Sequence, residues 1–149
     1  MTVLLKRAHI IDPSQPLDMV GDLLLRDGRI AKVGEDLFQH MGEAEEVLDC
    51  AGLVAAPGLV GMHVHLRDPG LTYKEDLFSA CRAAAAGGVT SLLAMPNTRP
   101  VMDSPELVRD LLERAGTADA AVSTAACVTQ GMQGEKLFSI LATTSGAIA

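Results

Sequence analysis

The sequence predicts an α/β chain: a small β module up to about residue 56, then a region where strands alternate with helices. Three observations carry this reading. Short apolar runs punctuated by turn signals fill the first third of the chain. At Pro57-Gly58 the pattern changes to strand, loop, helix. Beyond that point, helical stretches separate continuous apolar runs, and such alternation implies a parallel sheet with right-handed crossovers.

Within the module, residues 3–5 and 8–11 read as two short strands. Residues 23–25 and 29–33 flank Asp27-Gly28, a strong two-residue hairpin signal, because glycine tolerates the positive φ of a type I′ turn. A polar connection over 42–46 leads to 47–49 and 53–55, expected to form another strand pair around a turn at Ala51-Gly52.

In the second region, 59–66 is a nearly continuous apolar strand interrupted by two histidines. Thr72-Tyr73-Lys74-Glu75 fits a capping box that would start a helix running through the alanine-rich segment to Gly87-Gly88. Residues 89–95 form a buried-type strand. Ser104 as N-cap and Pro105 at the first helical position open the next helix, with Leu107, Val108, Leu111, Leu112 and Ala115 on one face. A third strand is expected over 120–128, a third helix over 136–144 and the start of a fourth strand over 146–149.

Composition narrows the function classes. The 149 residues are 48% hydrophobic, so there is material for a core. Trp is absent and Tyr occurs once, which leaves no aromatic platform for stacking bases. A net charge of −7 argues against a nucleic-acid or anionic-membrane partner, since either needs a basic patch. No stretch approaches the roughly 20 apolar residues of a membrane span. Cys50, Cys81 and Cys127 are widely spaced and no secretory signal precedes them, so the expectation is a reduced, cytoplasmic protein.

The chemistry centres on His63-Val64-His65. Side chains at i and i+2 of a strand share a face, so both imidazoles can approach one cation. The alternative is two satisfied polar residues at a strand end. Arg67 lies in the loop that follows, and its guanidinium offers a fork of donors. Asn97, just after the next strand, can donate through its amide. Taken alone, Arg67 reads as a surface charge and Asn97 as a turn residue. Asp68 and Lys74 read as a loop residue and a helix-start surface residue, and His9 and His40 as isolated.

The segment Pro57-Gly58-Leu59-Val60-Gly61-Met62-His63-Val64-His65-Leu66-Arg67-Asp68-Pro69-Gly70 resembles the signature of the amidohydrolase superfamily in its dihydroorotase branch. Met95-Pro96-Asn97-Thr98 is similar to a second signature of that branch, and Lys74-Glu75-Asp76, Gly87-Gly88-Val89-Thr90 and Thr129-Gln130-Gly131 fall where the family has similar motifs. The resemblance covers essentially the whole chain. It implies residues 1–56 as the N-terminal part of a β-sandwich module. It implies residues 57–149 as the first three β/α units, and the start of the fourth strand, of a metal-dependent hydrolase (TIM) barrel.

The resemblance further implies a reversible cyclisation of N-carbamoyl-L-aspartate to L-dihydroorotate in pyrimidine biosynthesis, at a centre of one or two Zn²⁺. His63 and His65 match metal ligands; His65, Arg67 and Asn97 match substrate-binding positions. Partners implied are the small-molecule substrate and, for an intact protein, further copies of itself or aspartate carbamoyltransferase. A complete barrel takes about 250 residues. By the resemblance the remaining metal ligands and the catalytic aspartate lie beyond Ala149, so no catalytic residue is assigned here and the isolated chain is expected to be inactive. Gly61 also departs from the family, which usually has aspartate there; a carboxylate beside ligating histidines orients them. The alternatives are a non-catalytic assembly partner of aspartate carbamoyltransferase, or another cyclic amidohydrolase of the hydantoinase or allantoinase type.

Overall fold

The computed structural model describes residues 1–137 and the backbone of residues 147–148. Most of the helix expected over 136–144 therefore lies outside the described residues. The chain divides into two compact units, Met1–Pro57 and Gly58–Ala149.

The first unit is a five-stranded mixed sheet in the order β3-β2-β1-β4, with β5 also on β1. Its strands are β1 (Thr2–Asp12), β2 (Leu17–Arg26), β3 (Arg29–Gly34), β4 (Glu46–Asp49) and β5 (Val54–Ala55). The two short strands expected at the start are one strand with a bulge: pairing passes from Leu5↔Leu23 to Ala8↔Gly21, and Arg7 takes φ 62°. Asp22, opposite this bulge, is buried; its carboxylate accepts from Arg7 N at 2.9 Å and Leu37 N at 3.0 Å. The hairpin forms at Asp27-Gly28 with φ 51° and 74°, the two positive values a type I′ turn requires.

One expectation here is corrected. The segments around 47–49 and 53–55 do not pair with each other; both run parallel to β1, Val3 opposite Glu46 and His9 opposite Val54. Cys50 N donates to Lys6 O at 2.8 Å and Leu53 N to Cys50 O at 2.9 Å, so the turn at Ala51-Gly52 is a jog along β1 rather than a reversal. Strand and turn composition look alike in both cases; what decides is that β1 has a free edge to be covered.

The second unit holds β6 (Leu59–Val64), α1 (Leu77–Ala86), β7 (Val89–Ala94), α2 (Pro105–Ala115), β8 (Ala121–Ala125) and β9 (Ala147–Ile148). The strands are parallel and in sequential order, β6-β7-β8-β9, the arrangement of the opening strands of a β/α barrel. Among the described residues the sheet stays open. Leu66, Leu77, Cys81, Leu92, Met102, Val108 and Leu111 make its core. Burying a Leu or Val side chain contributes about 1.5–3 kcal/mol, so the apolar face of α2 suffices to dock it. Ser104 Oγ accepts from Leu107 N at 3.3 Å, with Pro105 at the first position as expected.

The start of α1 departs from the expected capping box. Leu71 to Lys74 form a turn in which Lys74 N donates to Leu71 O at 2.9 Å. Asp76 is the N-cap, accepting from Phe78 N and Ser79 N, both at 2.9 Å, while Asp76 N donates to Ser79 Oγ at 3.2 Å. Two capping patterns compete over a few residues, and the later one puts Leu77 and Cys81 on the core face, where both are fully buried. No helix among the described residues is long and apolar enough to cross a membrane.

Candidate active site

The histidines stand at the C-terminal end of β6, where β/α folds build their sites. Val64 packs against the core, and the flanking imidazoles meet with ring centroids 5.2 Å apart at 71°. His63 is exposed and His65 half-buried. Met95 N donates to Val64 O at 2.8 Å, tying the end of β6 to the segment after β7. That brings Asn97 to His65: the Nδ1–H of His65 donates to Asn97 Oδ1 at 2.8 Å. An amide oxygen only accepts, so Nδ1 carries the proton and Nε2 keeps its lone pair for a cation. The Asn97 NH₂ remains a donor.

Arg67 lies two residues on, in a loop with unusual backbone. Its φ is 61°, a left-handed conformation that costs a non-glycine residue on the order of 1–2 kcal/mol. Leu71 N donates to Arg67 O at 2.9 Å, and Arg99 N to Pro69 O at 3.0 Å. At Gly70, with φ 84°, a Cβ would sit 1.8 Å from Arg99 O, so only glycine allows the two loops to approach. The structure thus unites His63, His65 and Asn97. It brings Arg67 to the same end of the sheet, without a hydrogen bond between its guanidinium and these three among the described residues.

Asp68 lies in the loop, as expected, but what sequence did not show is its burial: it is 7% exposed. Arg114, at the end of α2, donates to its two oxygens in a fork, Nη1 to Oδ2 at 2.9 Å and Nη2 to Oδ1 at 3.0 Å. Leu77 N, at the start of α1, approaches Oδ2 at 3.5 Å. Asp110 Oδ2 accepts from Arg114 Nε at 2.9 Å. The hydrogen bond to Asp68 raises the Arg114 pKa above its ordinary value. Asp and Arg 46 positions apart carry no local pattern; the only available signal is that Asp68 precedes Pro-Gly in a loop while Arg114 closes an amphipathic helix.

Other polar residues keep the plain readings. Lys74 is exposed beside the Tyr73 ring. In the first unit, His9 pairs with Asp18 at 2.6 Å and His40 with Glu43 at 3.0 Å. Cys81 and Cys127 are buried, and burial pushes both thiols up, away from nucleophilic thiolate. A Cβ at Gly61 would meet Leu92 Cδ2 at 3.1 Å and Val64 Cγ2 at 3.2 Å. An aspartate there would have its Cβ among methyl groups, at the edge of a cavity that His65 and Glu75 also line.

Among the described residues, no group of three His, Cys, Asp or Glu side chains converges on a metal position. The donor chemistry of the two histidines nonetheless fits part of a ligand set: adjacent imidazoles, one with its tautomer fixed by Asn97.

This fold is shared with solved cyclic-amide hydrolases. The L-hydantoinase (dihydropyrimidinase) from Arthrobacter aurescens superposes with a TM-score of 0.75 over 85% of this chain and 28% of its own, at 24% identity. A D-hydantoinase superposes at 0.64 over 87% and 28%, at 28% identity. Sequence narrows the class. A family model described as dihydro-orotase-like matches residues 52–149. The dihydroorotase of Pelobacter propionicus is 46% identical over 138 residues, 92% of this chain and 32% of its own. That of Geotalea daltonii is 47% identical over 139 residues, again 92% and 32%. That of Clostridioides difficile is 40% identical over 135 residues, 91% and 32%. The chain belongs to the dihydro-orotase-like family, and it spans about a third (32%) of the length of these relatives.

Proposed function

We propose that this chain supplies the N-terminal part of a dihydroorotase active site, for reversible cyclisation of N-carbamoyl-L-aspartate to L-dihydroorotate in cytoplasmic pyrimidine biosynthesis. The observation that carries the reading is the His65–Asn97 hydrogen bond, which joins the two signature segments at the same end of adjacent strands. His63 and His65 would hold a divalent metal, which we take to be zinc; when bound, it supplies Lewis acidity toward an amide carbonyl and acidifies water. The chain's own residues do the recognition. Asn97 fixes the His65 tautomer and offers its NH₂ to an acceptor. Arg67 offers a guanidinium fork, matched to the carboxylate that dihydroorotate carries and simple hydantoins lack. Identity supports the choice of substrate: 40–47% to dihydroorotases against 24–28% to the hydantoinases.

The test joins residues 1–149 to the part of the Geotalea daltonii dihydroorotase that they do not span. Metal-dependent hydrolysis of L-dihydroorotate in preference to hydantoin and dihydrouracil is expected. Arg67→Ala should lower kcat/KM about 10–150-fold, the value of a hydrogen bond to a charged group, with bound metal unchanged. Preference for the carboxylate-free substrates, or unchanged kinetics in Arg67→Ala, overturns the assignment.

A further inference from the structure

The loop carrying Arg67 is held in a conformation it would not adopt alone, and what holds it comes from 46 residues away. A non-glycine residue persists in the left-handed region only where its surroundings over-determine it. Around Arg67, φ 61°, the determinants can be traced. On one side Arg99 N grips Pro69 O and Gly70 abuts Arg99 O. On the other, the very next residue, Asp68, has both carboxylate oxygens in the fork of Arg114. Arg114 is itself fixed by Asp110 on the same helix, and α2 is anchored in the core by Val108, Leu111 and Ala115. A chain of rigid connections therefore runs from the body of α2, through Arg114 and Asp68, to the backbone of Arg67. None of these groups needs to touch substrate.

We propose that Asp68 and Arg114 are positioning residues: their partly buried bidentate pair locks the loop so that the Arg67 guanidinium is presented for the substrate carboxylate. The inference rests on the carboxylate-binding reading of Arg67 given above. The bidentate geometry is the operative feature. Lysine keeps the charge but offers a single point donor on a flexible stem, so it cannot fix the carboxylate plane. A displacement of roughly 1 Å at a positioning group can cost on the order of 10²-fold in rate.

The experiment is a double-variant cycle in the active metal-loaded protein that carries this chain, with Arg67→Ala, Arg114→Lys and the two combined. KM and kcat are read for L-dihydroorotate and for dihydrouracil, which lacks the carboxylate. Arg114→Lys should lower kcat/KM for dihydroorotate about 10–100-fold, mostly through KM, and leave dihydrouracil turnover within about twofold. The combined variant should fall no further than Arg67→Ala, because the pair acts only through Arg67. Equal losses on both substrates, or multiplicative losses in the combined variant, mean that the pair is a structural brace, and the proposal fails. If Arg114→Lys is insoluble, Asp68→Asn replaces it in the same cycle: near-isosteric, it keeps one acceptor for Arg114, and the same two results decide. An Arg67→Ala variant with undiminished dihydroorotate activity is a different failure, since it removes the carboxylate-binding reading before the pair is in question.

Discussion

Asp22 in the β module and Asp68 in the α/β unit solve the same problem with different partners. Each is a buried carboxylate, 3% and 7% exposed. Each lies beside an arginine in the left-handed region, Arg7 at φ 62° and Arg67 at φ 61°. Asp22 is satisfied by backbone, the N–H of Arg7 that the β1 bulge frees and the N–H of Leu37. Asp68 is satisfied chiefly by a side chain, the guanidinium of Arg114. The first arrangement stabilises the bulge itself and is bound to the main-chain path. The second couples a loop to a distant helix and can be changed by substitution at either end. A carboxylate serving backbone donors is a fixture of the fold, whereas one serving a side chain can transmit position.

Removal of Asp22 should have the largest effect. Asp22→Leu removes the carboxylate acceptor of two backbone N–H groups, those of Arg7 and of buried Leu37, at roughly 1.5–3 kcal/mol for each hydrogen bond to a charged group, about 4 kcal/mol together. No second-site substitution can compensate, because the partners are main chain. Site-resolved hydrogen exchange of the β1 and β2 amides in the whole protein measures the loss. Protection unchanged in Asp22→Leu would remove the distinction drawn here.

Arg114→Leu should come next, at about 3 kcal/mol. That is the low end for deleting one partner of a buried ion pair, because a third (33%) of the Arg114 side chain is exposed. Here a compensating change exists. Deleting both charges, Asp68→Leu with Arg114→Leu, should restore most of the α2 protection, since an apolar pair of similar volume replaces a buried ion pair at little cost. Failure of the double variant to recover would mean that Asp68 also serves α1 through Leu77 N, now at 3.5 Å.

Much of this was legible in the sequence, and the limits have physical causes. The hairpin at Asp27-Gly28, the Ser104-Pro105 start of α2 and the alternation of strand and helix depend on neighbours within a few residues, and local patterns record them. Strand periodicity put His63 and His65 on one face, whereas Asn97 joined them only through the family resemblance, since its approach to His65 depends on the pairing of β6 with β7. What stayed hidden was long-range. The parallel pairing of β4 and β5 with β1 depends on a free edge some 40 residues earlier. The Asp68–Arg114 pair spans 46 positions. The choice of Asp76 over Thr72 as cap was fixed by which helix phase buries Leu77, a packing result that the capping pattern alone does not contain.

The smallest expected effects separate the two helix caps of the α/β unit. Ser104 is a neutral cap whose bond to Leu107 N does not titrate, so Ser104→Ala should cost about 1 kcal/mol, with pH dependence only through its hydrogen bond to Glu106. Asp76 is a charged one. Backbone hydrogen bonding from Ser79 leads the causes that hold its carboxyl below the ordinary value, and the positive end of α1 favours the anion. The sign follows from linkage. A carboxyl whose pKa is lowered on folding adds stability that is fully present above its unfolded value, near 4, and is lost as pH falls through the lower folded value. Asp76→Asn keeps an acceptor for Phe78 N and Ser79 N but has nothing to titrate. Its deficit relative to the unmodified protein, read from hydrogen exchange at the start of α1, should therefore be constant from neutral pH to about 5 and shrink below about 4. Comparing the two proteins at each pH cancels the other carboxyls that titrate in the same range. A deficit that grows on acidification would mean that the charge on Asp76 opposes the cap, and that hydrogen-bond geometry alone holds the start of α1.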